Sequence, residues 1–171
     1  SSGKVKLIKP SAQLPDAITV TKDIEYGKGG ETPLLLDLYV PKNITKPVPA
    51  LVFIHGGGWE GGDKKDYVVY NIDYAVKGYV TVSINYRLSK DAKFPAAVED
   101  CHAAVAWVAR QTTALGIDAD RIAVAGDSAG GTLVVTTCLL ARERGGPQIA
   151  FQVSVYPALT MTDGEEFASR R

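Results

Sequence analysis

Hydrophobic and polar positions change rhythm near residue 50. Before it, Leu34, Leu36, Leu38 and Val40 alternate with Leu35, Asp37 and Tyr39, a period of two that predicts a strand with one core face. Ile24-Glu25-Tyr26 is its expected antiparallel partner, with Gly27-Lys28-Gly29-Gly30 as the turn between them. Lys42 to Pro49 lacks periodicity and reads as a connector. From Ala50 the apolar runs are short and unbroken. Leu51-Val52-Phe53-Ile54 predicts a strand buried on both faces of a parallel sheet, and Tyr79 to Ile84, Arg121 to Ala125 and Phe151 to Val155 predict three more strands. A helix ends near Lys77-Gly78, where glycine suits the left-handed position that follows a helix. A second runs from Pro95 to Arg110, its proline in the first turn and Val98, Cys101, Val105 and Val108 on one stripe. A third spans Gly130 to Arg144 and closes at Gly145-Gly146-Pro147. The alternation predicts an α/β domain with a mainly parallel central sheet, flanking helices and antiparallel N-terminal strands.

Composition removes several functions. The 171 residues are 46% hydrophobic and 22% charged, with 19 Lys+Arg against 19 Asp+Glu. No field of one sign exists to gather nucleic acid or an anionic membrane, and no apolar run is long enough for a membrane span. Cys101 and Cys138 are too few for a disulfide scaffold and read as small buried hydrophobes. No metal-ligand cluster is visible. Ser1-Ser2-Gly3-Lys4 shows no signal peptide, but one removed earlier leaves cytoplasmic and secreted locations both open. Lys4 to Lys9 reads as a solvated tail within a leading segment, residues 1–17.

Chemistry concentrates in two glycine-rich segments that follow two of the strands, at the sheet end where α/β domains place their sites. Gly126-Asp127-Ser128-Ala129-Gly130-Gly131 matches G-x-S-x-G between a strand and a helix. A serine at so tight a bend needs small neighbours, and it faces the free N–H groups of the helix start. The plainer alternative is an N-cap serine with packing glycines. His55-Gly56-Gly57-Gly58-Trp59 is the second segment. Three successive glycines are entropically expensive and make sense where backbone N–H groups approach a ligand. A flexible turn or a phosphate cradle is the alternative, but neither G-K-[ST] nor G-x-G-x-x-G accompanies the segment. His55 reads as an anchor of this loop. Trp107 reads as packing, and Tyr67, Tyr70 and Tyr74 as one face of the helix that follows, with a substrate-lining role for Tyr67 or Tyr70 as the alternative because the loop opens onto the cleft.

With HGGGW at 55–59 and GDSAGG at 126–131, the chain resembles the α/β-hydrolase fold in its hormone-sensitive-lipase-like branch of esterases and lipases. Ser83-Ile84-Asn85-Tyr86-Arg87-Leu88 and Phe94-Pro95-Ala96-Ala97-Val98-Glu99-Asp100 add to the likeness, which spans about Leu34 to Leu159. The resemblance implies a serine carboxylesterase acting on short acyl esters through an acyl-enzyme, without metal or organic cofactor. It implies Ser128 as nucleophile and Gly57, Gly58 and Ala129 as donors to the oxyanion, with His55, Gly56, Trp59, Gly126, Asp127 and Gly130 completing the two motifs. Asp127 and Trp59 carry no assigned role. Ser11 to Ala17 lacks the helical stripe expected of a lid.

The family order is Ser, then Asp or Glu, then His. Both histidines here, His55 and His102, precede Ser128. His102 lies inside the Pro95–Arg110 helix and is expected to be a surface or half-buried helix residue, away from the serine. Asp163, Glu165 and Glu166 follow the last strand, but an acid without its histidine completes nothing. The expectation is that residues 1–171 are the N-terminal part of a single hydrolase domain whose C-terminal strands and helices are missing, inactive alone and partnered by the remainder of the domain. A non-catalytic small-molecule receptor on the same fold is the alternative.

Overall fold

The computed structural model describes residues 14–159. Two long strands open the fold, β1 (Ile18–Gly29) and β2 (Thr32–Pro41), followed by β3 (Val48–Ile54). A 3₁₀ turn (Lys64–Tyr67) leads into α1 (Val68–Val76), then β4 (Val80–Ile84), α2 (Ala96–Arg110) and the short α3 (Thr112–Leu115). The chain continues through β5 (Ile117–Asp127), α4 (Ala129–Glu143) and β6 (Phe151–Val155). All six strands join one sheet in the order β1-β2-β4-β3-β5-β6. The pairs β1·β2 and β2·β4 are antiparallel, and the other three are parallel, as the change of rhythm at residue 50 predicts.

β3 and β4 sit in the middle, and their unbroken apolar runs are buried on both faces. Val52, Ile54, Val82 and Ile84 are fully buried, as are Cys101, Val105 and Val108 on the predicted stripe of α2. Each such side chain contributes roughly 1.5–3 kcal/mol of transfer free energy, so this layer holds the sheet and α2 together. Cys138 on α4 is only half-buried, because it faces a hollow at the far end of that helix. Trp107 packs partly buried against the core, as expected.

Two readings of the first strands need correction. Residues 27–29 belong to β1 and pair with Leu34, Pro33 and Thr32, so the turn falls at Gly30-Glu31, with Gly30 at φ +65°. Register shifts between Thr21 and Ile24 and between Glu25 and Gly27 lengthen β1 in a way no local pattern announces. Asp37 and Tyr39, on the expected polar face of β2, are also buried. The 3₁₀ turn covers that face, and Lys64, itself 3% exposed, places Nζ 2.8 Å from carboxylate oxygens of both Asp37 and Asp23.

A second ion pair braces the segment between β4 and α2. Arg87 donates to Asp100 through its backbone N–H (2.9 Å), Nε (2.8 Å) and a terminal guanidinium nitrogen (2.7 Å). Asp100 is 3% exposed, so its removal strands a partly desolvated guanidinium. Asp100→Ala should cost about 3 kcal/mol in urea denaturation, with part recovered in an apolar Arg87→Met/Asp100→Leu double variant. A loss under about 0.5 kcal/mol, the scale of an exposed pair, would contradict that brace.

Candidate active site

β5 ends at Asp127 and α4 begins at Ala129, so Ser128 alone makes the turn. Its backbone sits at φ 52°, ψ −121°, a conformation that a non-glycine residue adopts at a cost of roughly 1–3 kcal/mol. Ser128 occupies the N-cap position, yet its side chain makes no capping hydrogen bond, which removes the plain N-cap reading. The neighbouring small residues are sterically required. A methyl group on Gly126 would lie 2.6 Å from the Ile54 carbonyl oxygen, and one on Gly130 would lie 2.6 Å from that of His55. The Ser128 N–H donates to the Val155 carbonyl (2.9 Å), which ties the bend to β6.

The HGGGW loop lies against this bend because Ile54 and Gly126 are register partners in the β3·β5 pair. Both strands leave the sheet at its carboxyl end, side by side. Gly57 (φ +105°), Gly58 (φ +62°) and Trp59 (φ +62°) all take left-handed backbone. A methyl group on Gly57 would meet the backbone of Gly61 and Gly62, whereas one on Gly58 would meet nothing within 4 Å. The Gly57 carbonyl accepts from the Glu60 and Gly61 N–H groups, and the Trp59 carbonyl from the Ser89 N–H.

His55 anchors the loop, as expected. It is buried, its ring stacks on Tyr86 at 4.4 Å, and the Tyr86 hydroxyl donates to its carbonyl (2.9 Å). Its Nδ1 lies 2.8 Å from the Gly56 carbonyl oxygen. Burial holds the imidazole below its ordinary value of 6.5. Below that pH the unfolded chain gains a proton that the folded chain resists, so stability falls as pH drops from about 6.5. The melting temperature should therefore fall further between about pH 7.5 and 5.5 in the wild type than in His55→Asn. Equal slopes would show that His55 is free to charge in the fold.

His102 stays remote from the serine. Its Nε2 lies 3.2 Å from the carbonyl of Gly146, just past the C-terminal end of α4, while Ser128 precedes the opposite end. A helix of 15 residues is roughly 22 Å long, so no rotamer brings this imidazole to Ser128. Lys4 to Lys9, Asp163, Glu165 and Glu166 lie outside the described residues.

Two further features escaped the sequence. Asp127 accepts hydrogen bonds from Tyr67 (2.6 Å) and Tyr156 (3.1 Å). Tyr67, Tyr70 and Tyr74 do share a face, gathered around Phe53, but Tyr67 also turns its hydroxyl to the carboxylate beside the serine. A cavity of about 420 Å³ opens between Gly58-Trp59, the 87–98 segment and Thr132, Leu133 and Thr136 of α4, with a mostly apolar wall. The larger hollow, about 700 Å³, sits at the other end of α4 beside Cys138 and residues 145–152.

A serine on a strained bend, glycine-rich backbone beside it and an apolar cavity under that backbone form the constellation expected of an acyl-transfer site. Residues 36–159 match the model of the BD-FAE family. The chain belongs to that family, in the hormone-sensitive-lipase-like branch of the α/β-hydrolase fold. A carboxylesterase of Mycobacterium tuberculosis, NlhH, is 36% identical over 92% of this chain and 49% of its own length. An esterase structure from Pyrobaculum calidifontis superposes with a TM-score of 0.75 at 41% identity, over 82% of this chain and 46% of that one. Brefeldin A esterase, described as a bacterial homologue of human hormone-sensitive lipase, superposes with a TM-score of 0.77 at 28% identity, over 96% of this chain and 47% of the other. The chain spans about half the length of these relatives. Among the described residues, no helix is long and apolar enough to cross a membrane.

Proposed function

We propose that this chain supplies the nucleophile and oxyanion-binding half of a serine carboxylesterase acting on short acyl esters. The observation that carries the reading is Ser128 itself: strained, uncapped and set where β5 gives way to α4, beside the HGGGW loop. In this mechanism the Ser128 hydroxyl adds to the ester carbonyl. The N–H groups of Gly57, Gly58 and Ala129 receive the negative charge that develops on the carbonyl oxygen. Collapse expels the alcohol and leaves an acyl-enzyme that water cleaves. The mostly apolar cavity beside Gly58 and Leu133 has room for an acyl chain.

Serine needs a base to take its proton. Neither His55, buried in its loop, nor His102, at the wrong end of α4, is placed to do so. We therefore assign the acid and histidine to polypeptide outside residues 1–171, in keeping with relatives of about twice this length. β6 offers the place for it to join: Phe151, Val153 and Val155 are exposed, and among the described residues β6 pairs with β5 alone.

The protein expressed from its complete reading frame should hydrolyse p-nitrophenyl acetate and butyrate much faster than the decanoate. The 171-residue chain should hydrolyse p-nitrophenyl acetate no faster than its own Ser128→Ala variant. A Ser128-dependent burst from the 171-residue chain would show that no base is missing. Reversible ligand binding without turnover by the complete protein would instead favour a receptor.

A further inference from the structure

We propose that Asp127 is a positioning residue for acyl transfer, a carboxylate clasped by Tyr67 and Tyr156 that holds the HGGGW loop in place against the Ser128 bend. The proposal rests on Ser128 being the nucleophile.

Asp127 is the last residue of β5 and the immediate neighbour of Ser128. Among the described residues no Lys, Arg or His pairs with it, unlike Asp37 and Asp100, which each hold a cation. Its two oxygens are divided instead between two phenols. Tyr67 donates to Oδ1 at 2.6 Å, a short hydrogen bond of the charge-assisted kind, and Tyr156 donates to Oδ2 at 3.1 Å. The Tyr67 hydroxyl is correspondingly harder to ionise than an ordinary phenol, through burial and the carboxylate it faces.

The two phenols arrive on different segments. Tyr67 closes the 3₁₀ turn that follows the HGGGW loop, and its ring is stacked on Phe53 of β3 at 4.8 Å, so it cannot swing freely. Tyr156 comes directly after β6, on left-handed backbone at φ 37°. Gly56 lies close to Asp127. A methyl group there would sit 2.9 Å from the Asp127 carbonyl oxygen and 3.0 Å from Oδ2. Asp127, the last residue before the nucleophile, thus bonds to Tyr67 on the segment after the oxyanion glycines and leaves no room for a side chain at Gly56, just before them.

Two phenol donors, one to each oxygen, hold the carboxylate in a single orientation. Loosening the clasp should displace the oxyanion amides relative to Ser128. The loss then falls on the transition state rather than on ground-state binding, and so on kcat rather than KM.

The test uses the protein expressed from its complete reading frame, with p-nitrophenyl butyrate as substrate. Active serine is titrated by a fluorophosphonate so that rates refer to folded sites. Tyr67→Phe and Asp127→Asn should each lower kcat per titrated serine about tenfold with KM held within about twofold. The double variant should be no worse than Asp127→Asn alone, because the pair acts as one unit. Tyr156→Phe, at an exposed position, should fold normally and give a smaller drop in the same direction. Unchanged kcat per titrated serine in all of these, with only a lower melting temperature, would overturn the clasp and leave the esterase reading intact. Absence of Ser128-dependent turnover in the wild type would overturn the esterase reading, and the clasp with it.

Discussion

Ser128→Ala should reduce the turnover of p-nitrophenyl acetate by the complete protein about 10⁴-fold or more, while the fold is kept. The substitution removes a single oxygen. Alanine inherits the φ 52°, ψ −121° backbone with a side chain no larger than that of serine, and the N–H that binds Val155 is untouched. The serine hydroxyl makes no capping bond, so α4 loses no terminal contact on its account. Stability should thus stay within about 1 kcal/mol of wild type, since nothing buried is left unpaired. What disappears is the covalent route. The remaining amides can still polarise a carbonyl, but water must then attack it directly. A residual rate within tenfold of wild type would mean that another group does the chemistry.

Gly130→Ala should have the largest effect on stability, more than about 3 kcal/mol, beyond the usual range for overpacking. The added methyl group would overlap the Ile54 carbonyl oxygen and lie 2.6 Å from that of His55. Both are backbone atoms of β3 and its loop, so no rotamer relieves the clash and α4 must lift from the sheet. Gly58→Ala is the informative contrast. Unlike Gly130→Ala, it places alanine at positive φ, but into open space, and should cost only about 1 kcal/mol. Urea midpoints of the two variants separate contact from backbone strain. Equal losses would show that close approach is not what the GDSAGG glycines serve.

How far each feature could be read from the chain follows from the range of the forces that make it. The central strands were legible because burial on both faces demands an unbroken apolar run, as in Leu51 to Ile54. The bend and its glycines were legible because their requirement is steric and local. The β1–β2 turn falls later than the glycine cluster suggests, because bulges at Asp23 and Tyr26 shift the register without leaving a pattern. Lys64 escaped altogether. In the run Lys64-Lys65-Asp66 it looks solvated, and only the arrival of Asp23 and Asp37 from two strands makes its burial tolerable. The clasp on Asp127 escaped for the same reason, since its partners stand 60 and 29 residues away and meet it only through sheet order. The position of Tyr67 after a loop that opens onto the cleft was a hint of its place at the site, though not of its partner.

Labelling with a fluorophosphonate, followed by peptide mass mapping, interrogates the serine most directly. On the protein expressed from its complete reading frame, one adduct per chain should form on the peptide that contains Ser128, and none in Ser128→Ala. An adduct on any other residue, or none on a folded wild-type protein, would contradict the assignment of that hydroxyl as the nucleophile.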